Sequence, residues 1–319
     1  MNRMDDLIRI WTSQSRHDQR IDQNALLLEF LGTWLYSQYQ PFPEKPPFWD
    51  RLFAWLDHIP TGNATRDSDQ QALFNFVPWL LFVGEEDLIA AYRAAYTGPI
   101  CRWLIDSASI KITDPDLGCQ ISEARQSTWF GSLAGMDINT FCRVNGIFGQ
   151  SYRPEFRFVS EFCKIPPLKK WLNQECYRRI VIVEDIVGTG EQFKETVDAL
   201  IKLKPLPILF VPLFIAPDGL ELVQDLIGGP KCRHIQCQPL FVLPHECLVR
   251  RAQSPHDSQE IDDFRSVNQR VNAGHLGFGK DYGTLVLTHA NCPDNVPPII
   301  HERTAMRPVP LFPRASREG

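Results

Sequence analysis

No two of the nine cysteines form a CxxC pair. In a chain of 319 residues, an odd number of scattered cysteines reads as reduced, mostly buried thiols rather than a disulfide framework. Long apolar runs are also missing. The longest, ILFVPLFIA at 208–216, contains a proline and is too short to cross a bilayer. The first residues, MNRMDDLIRIW, hold no apolar stretch of signal-peptide length. These absences lead us to expect a cytoplasmic protein with no membrane partner. Basic residues are not in excess, with 33 Lys and Arg against 38 Asp and Glu and a net charge of -5. That balance argues against direct nucleic-acid binding as the main function. Two phosphate-binding patterns fail as well. No segment reads GxxxxGK[ST], and GTGEQF at 188–193 stops after two of the three glycines of GxGxxG. No internal repeat and no low-complexity tract is present.

What remains is ordinary for a globular chain: 44% apolar and 22% charged residues. Residues 1–95 read as a helical N-terminal region without a strand pattern. In NALLLEFLGTWLYSQY, residues Leu27, Phe30, Leu31, Trp34 and Leu35 recur at the spacing of one helix face. PFPEKPPFWDRLFAWLDHIP is a proline-rich connection into a second helix. A third helical stretch, LIAAYRAAYTGPICRWLID, is interrupted near Gly98-Pro99.

From about residue 127 strands and helices alternate, which predicts an α/β core with a largely parallel sheet. STWFGSLA and EFRFVSEF are candidate strands, and DINTFCRVN is a candidate helix. RRIVIVED is a buried strand, and GEQFKETVDALIKL is the helix after it, with Phe193, Val197, Leu200 and Ile201 on one face. Further expected elements are a strand at ILFVPLFIA, a helix at DGLELVQDLI and a strand over 235–243. A helix at SQEIDDFRSVNQRVNAG, closed by Gly274, and a last strand at GTLVLTHA complete the series. Cys232, His234, Cys237, His245 and Cys247 crowd one stretch and raise the question of zinc. Their spacing matches no common site, and a strand there would splay ligands over two faces. The plainer reading is a strand with small buried thiols.

The chemistry concentrates in IVIVEDIVGTGEQ, residues 180–192. Ligands of open parallel sheets sit at the carboxyl ends of the strands, where Glu184 and Asp185 fall. The glycine loop after them leads into a helix N-terminus, whose N–H groups and dipole favour an anion. Carboxylates suit hydroxyl donors or a cation rather than phosphate. A ligand with a phosphate at one end and vicinal hydroxyls at the other satisfies both halves. The plain alternative is a buried strand capped by two solvated acids and a glycine turn.

This motif resembles the binding motif of type I phosphoribosyltransferases. With DINTFCRVNGIFGQSYRP upstream, and LGFGKDYGTLVLTHANCPDNVPPII and RPVPLFPR downstream, the chain is similar over about residues 85–314 to the PRTase-CE group of bacterial conflict systems. The resemblance implies a phosphoribosyltransferase-like domain over 96–319, with phosphoribosyl pyrophosphate as substrate and Mg2+ as its companion ion. It implies that Glu184 and Asp185 hold the ribose hydroxyls. Val187, Gly188, Thr189, Gly190, Glu191 and Gln192 would cradle the 5-phosphate. It also implies an effector role in anti-phage defence beside a protein partner such as an ATPase or a retron reverse transcriptase. Two departures stand out. Gln192 replaces the Thr or Ser of housekeeping enzymes, and SLAGMD at 132–137 replaces a Thr-Asp-Ser-like segment.

Other residues are candidates on chemistry alone. Arg143 and Arg153, near Asn145 and Gln150, suit pyrophosphate contact, and a surface role is an equal alternative. Asp137 reads as an N-cap or an acid/base group. Lys280 lies in a glycine-rich segment that is either a lid or a plain connection. His275 and His289 flank the last strand, and Arg307 and Arg314 lie in the proline-rich tail. Three functions stay open: a transferase or hydrolase acting at ribose C1, a silent nucleotide sensor, and a module that docks a partner through its N-terminal helices.

Overall fold

The computed structural model describes residues 3–14, 20–42, 46–60, 62, 64–150, 153–156, 165–203, 205–251, 257–272, 274–277, 282–304 and 308–315. Two compact units emerge: Met1–Leu88 with Pro244–Gly319, and Ile89–Leu243.

The first unit opens with helices α1 (Arg3–Gln14), α2 (Arg20–Trp34), α3 (Phe48–Asp57) and α4 (Arg66–Phe76), followed by strand β1 (Leu81–Val83). The apolar spacing of α2 predicts a buried face, and the helix differs from that expectation. It buries Ile21, Leu28 and Gly32, and Leu31 and Leu35 of the expected face pack against the core, while Leu27, Phe30 and Trp34 stay 43%, 59% and 65% exposed. Apolar residues occur all round this helix, so periodicity alone does not choose the packed side. β1 is a strand where residue patterning gives none. Three residues are too few for alternation to register, and its partner lies about two hundred residues away.

Helix α5 (Glu85–Ala95) passes through a π-turn at Tyr96–Ile100 into α6 (Cys101–Ser107). Pro99 sits in that turn, where the widened backbone tolerates a residue without an N–H. The second unit continues with α7 (Leu117–Gln126), β2 (Thr128–Ser132), α8 (Ile138–Val144), α9 (Ile165–Gln174), β3 (Arg179–Val187) and α10 (Glu191–Ile201). Next come β4 (Ile208–Ile215), α11 (Pro217–Ile227), β5 (Ile235–Cys237) and β6 (Phe241–Val242). The candidate strand EFRFVSEF falls mainly outside the described residues.

The sheet runs β2-β3-β4-β5, with β6 also on β4, and every pairing is parallel. The protein is therefore mixed α/β, with a mostly parallel sheet flanked by helices and further helices at the N-terminus. The strand expected over 235–243 is split in two. Pro239 has no N–H to donate, yet the chain keeps its course through Gln238 N–H to Phe210 O and Leu240 N–H to Pro212 O. Ile180 and Ile182 pack with Trp129, Phe193 and Phe210 in one core layer.

The chain then returns to the first unit with β7 (Leu248–Arg250), α12 (Gln259–Asn272), β8 (Tyr282–Thr284), β9 (Val286–Thr288) and α13 (Pro298–His301). The stretch GTLVLTHA is not one strand of the large sheet. It breaks at Leu285, so that β8 pairs antiparallel with β7 and β9 pairs parallel with β1. Phe76 of α4 stacks on Phe264 of α12 at 3.7 Å between centroids, and Trp55 Nε1 donates to Ile299 O at 2.9 Å.

Candidate functional site

β3 is longer than its apolar run. Its pairing with β4 carries on through Glu184, Ile186 and Val187, so the two acids lie inside the strand near its carboxyl end. Successive side chains of a strand point to opposite faces. Glu184 therefore shares a side with Ile180 and Ile182, and Asp185 shares one with Val181 and Val183.

The surroundings of the acids differ accordingly. Glu184 is 2% exposed, and its Oε2 accepts the backbone N–H groups of Leu133 and Ala134 at 3.0 and 2.9 Å. Those amides belong to the SLAGMD segment just after β2, so Glu184 ties that loop to β3. Asp185 is half-buried, and its Oδ1 accepts the N–H of Ile186 at 2.8 Å.

Beyond Val187, residues 188–190 form a tight turn. Val187 O accepts from Ala216 N–H at 2.9 Å, which fixes the start of the turn. Gly190 has φ 81° and is the N-cap of α10, with no side-chain capping bond. A left-handed backbone at this position favours glycine. The first turn of α10 thus offers its orphan N–H groups without a capping side chain. Gly219, in the first turn of α11, holds the loop from behind. A Cβ there would lie 2.2 Å from Gly188 O and 3.4 Å from Gly190 N. Residue patterning misses Gly219, although a glycine inside a helix is itself a signal of close approach. Thr189, Glu191 and Gln192 are half-buried. Glu191 pairs with Lys194 at 3.0 Å in a largely exposed ion pair, and such pairs contribute little.

On the Asp185 side the sheet meets aromatic rings. Phe130 of β2 lies 6.4 Å from Phe141 of α8, and Phe141 meets Tyr92 of α5 edge-on at 5.7 Å. Burial pushes the Tyr92 phenol well above its ordinary pKa, and Asp185, Asp137 and Glu184 nearby push it the same way. The acids and Tyr92 thus gather at one end of the sheet.

Other sequence candidates have structural partners. Asp137 caps α8, accepting from Asn139 N–H at 3.1 Å, Thr140 N–H at 3.2 Å and Thr140 Oγ1 at 2.6 Å. Arg143 donates to Thr140 Oγ1 at 3.2 Å and Arg153 to Asn139 Oδ1 at 2.9 Å, so both lie against α8. Asn145 donates to the backbone oxygens of Tyr92 and Phe141. Gln150 accepts from Phe130 N–H at 3.1 Å and donates to Thr128 O at 2.6 Å, pairing with the outer edge of β2 as a neighbouring strand would. His275, His289 and Arg314 belong to the first unit, where Arg314 meets Asp294 at 3.4 Å. Lys280 and Arg307 lie outside the described residues. Cys232 is buried, and burial raises the Cys237 thiol to about 12.

Among the described residues no helix is long and apolar enough to cross a membrane. No curated protein and no solved structure matches the chain. The sequence model of one family, PRTase-CE, matches residues 54–314 and so takes in the β3 acids, the glycine turn and α10. The chain therefore belongs to the PRTase-CE family and carries its phosphoribosyltransferase-like character.

Proposed function

We propose that the protein binds phosphoribosyl pyrophosphate, or a related ribose-phosphate nucleotide, at the carboxyl end of β3 and acts at ribose C1. The observation that carries this reading is the 188–190 turn just past the end of β3, the strand that holds Asp185, with Gly190 at φ 81° capping α10 without a side-chain bond. Uncapped N–H groups at a helix start suit the 5-phosphate, and a half-buried carboxylate one turn away suits ring hydroxyls. In the reaction the bond from C1 to the pyrophosphate oxygen breaks, and the electron pair leaves with pyrophosphate. A nucleophile on the acceptor, or water, forms the new bond to C1. Asp185 would steady the ring as positive charge develops there.

Among the described residues no group of three or more His, Cys, Asp or Glu is placed to hold an ion. Mg2+ would be carried mainly by the ligand's own oxygens, with Asp185 as the carboxylate at hand. Bound there it would neutralise charge on the leaving pyrophosphate.

Isothermal titration of the full chain with phosphoribosyl pyrophosphate and Mg2+ tests the reading. Micromolar binding that Asp185→Ala abolishes, with the variant's folding verified by circular dichroism, is the expected result. No binding by well-folded wild type would set the reading aside. Where turnover is found, loss of Asp185 should cost about 2–4 kcal/mol of transition-state stabilisation.

A second reading, a sensor that binds without turnover, draws support from Glu184. Its engagement with Leu133 and Ala134 leaves Asp185 as the half-buried member of the acid pair. Binding without pyrophosphate release across a panel of acceptors would favour the sensor. The defence setting implied by the family, with an ATPase or retron reverse transcriptase as partner, belongs to the same proposal. Co-purification of such a protein from co-expressed neighbouring genes is the expected outcome, and isolation of the chain alone would count against it.

A further inference from the structure

Resting on the ribose-phosphate reading, we infer that Tyr92 and Ser132 complete the ligand-facing side of the site by donating hydrogen bonds to the ribose hydroxyl oxygens from which Asp185 accepts. Ionised Asp185 can only accept. Each hydroxyl of a vicinal diol gives one hydrogen and offers two lone pairs, so an acid alone takes the hydrogen and leaves the lone pairs unmet. A site that holds a diol tightly needs O–H or N–H donors beside the acid.

The sheet register supplies them on the correct side. Ser132 is the last residue of β2 and lies opposite Val183. Parallel neighbours in register point to the same face, so Ser132 shares the Asp185 face, one row back along the strand. It is 1% exposed, and its Oγ has no hydrogen-bond partner. Buried polar atoms in native proteins are nearly always satisfied, so an unpartnered hydroxyl at a sheet's ligand end calls for a missing partner.

Tyr92 reaches the same face from α5. Its ring is 3% exposed and set edge-on against Phe141, and its backbone oxygen is held by Asn145 Nδ2 at 3.2 Å. The ring therefore has little freedom to swing. The phenol keeps its proton at any physiological pH, because burial and the nearby carboxylates all raise its pKa. It is a fixed O–H donor among acceptors.

The test uses the full chain and two probes, ribose 5-phosphate and 2-deoxyribose 5-phosphate, titrated into wild type, Tyr92→Phe, Ser132→Ala and Asp185→Ala. Tyr92→Phe and Ser132→Ala should each weaken ribose 5-phosphate binding by about tenfold, the size of one lost hydrogen bond. A variant that loses a bond to the 2-hydroxyl should show a smaller penalty on the 2-deoxy ligand, and one that loses a bond to the 3-hydroxyl the same penalty on both with an unchanged melting temperature. A purely structural role would lower affinity for both ligands alike, and melting temperatures would reveal it. No penalty on either probe, or an equal penalty accompanied by a lowered melting temperature, removes that residue from the assignment. If Asp185→Ala abolishes binding while Tyr92→Phe and Ser132→Ala do not weaken it, only this inference falls. If wild type binds neither probe, the ribose-phosphate reading falls and this inference with it.

Discussion

Glu184 and Asp185 are adjacent in sequence and differ in physical circumstance. Glu184 is enclosed and satisfies two backbone amides, whereas Asp185 is half-buried and bonds to the next residue's N–H. Removing the Glu184 carboxylate would strand the N–H groups of Leu133 and Ala134. We expect Glu184→Ala to lose about 1–3 kcal/mol in urea unfolding with no ligand present. Asp185→Ala should lose less than Glu184→Ala, because the half-buried Asp185 carboxylate is less enclosed and bonds the amide of its own neighbour Ile186 rather than tying a separate loop to β3. Equal losses for the two variants would refute this division. At this scale the residue types were legible: two acids after a β-branched run mark the spot. The divergence of their side chains was not. The apolar run stops at Val183 and suggests that the strand stops too, yet β4 continues alongside to Ile215 and holds β3 in strand geometry through Val187. Gln150 was illegible for a related reason. Its bonds to Phe130 and Thr128 follow from β2 being an edge strand, and strand order is a property of the assembled sheet.

Elements in the second unit follow local signals closely. The Gly190 turn, α10, β4 and α11 appear where periodicity and glycine place them. What their sequences do not declare is which two elements touch. The 188–190 turn depends on α11 through Gly219, whose added Cβ would meet Gly188 O at 2.2 Å. That neighbour is main chain and cannot swing aside as the end of a side chain can. Gly219→Ala should therefore displace the 188–190 turn, costing about 1–3 kcal/mol of stability as overpacking does. Affinity for phosphoribosyl pyrophosphate should fall with it. Gly98→Ala is the control, because a Cβ there meets nothing within 4 Å. A Gly219→Ala protein with wild-type melting and binding would contradict the packing argument. In the first unit, local signals do less. Helix α2 has apolar residues on all sides, and the stretch containing β8 and β9 reads as one strand. Which side of α2 packs is decided by its neighbours α1, α3 and α4, and where the strand breaks is decided by pairing with β7 and with the distant β1.

For the whole molecule, the long-range contacts within the first unit define what can fold alone. Helices from the start of the chain and segments from its end share one apolar cluster: Trp11, Trp55, Phe74 and Phe76 with Phe264, Leu285, Ile299 and Phe312. The parallel pairing of β1 with β9, the Trp55 bond to Ile299 and the ion pair of Arg270 with Asp69 join the same two parts of the sequence. A fragment of residues 96–319 would keep the late half of that cluster and lose the early half. Its large apolar side chains would face water, and the stability of a domain is small beside such a loss. A fragment of residues 85–243 would keep α5, the whole β2-to-β6 sheet and the core layer around Trp129, Phe193 and Phe210. We expect the 85–243 fragment to unfold in one cooperative transition by circular dichroism. The 96–319 fragment should aggregate, or bind a hydrophobic dye strongly while losing its aromatic circular dichroism signal. Adding residues 1–88 back as a separate chain should rescue it, because the missing surface is complementary and specific. A soluble 96–319 fragment that melts as sharply as the full chain would overturn this division, since it would mean that residues 244–319 find a complete core without the N-terminal helices.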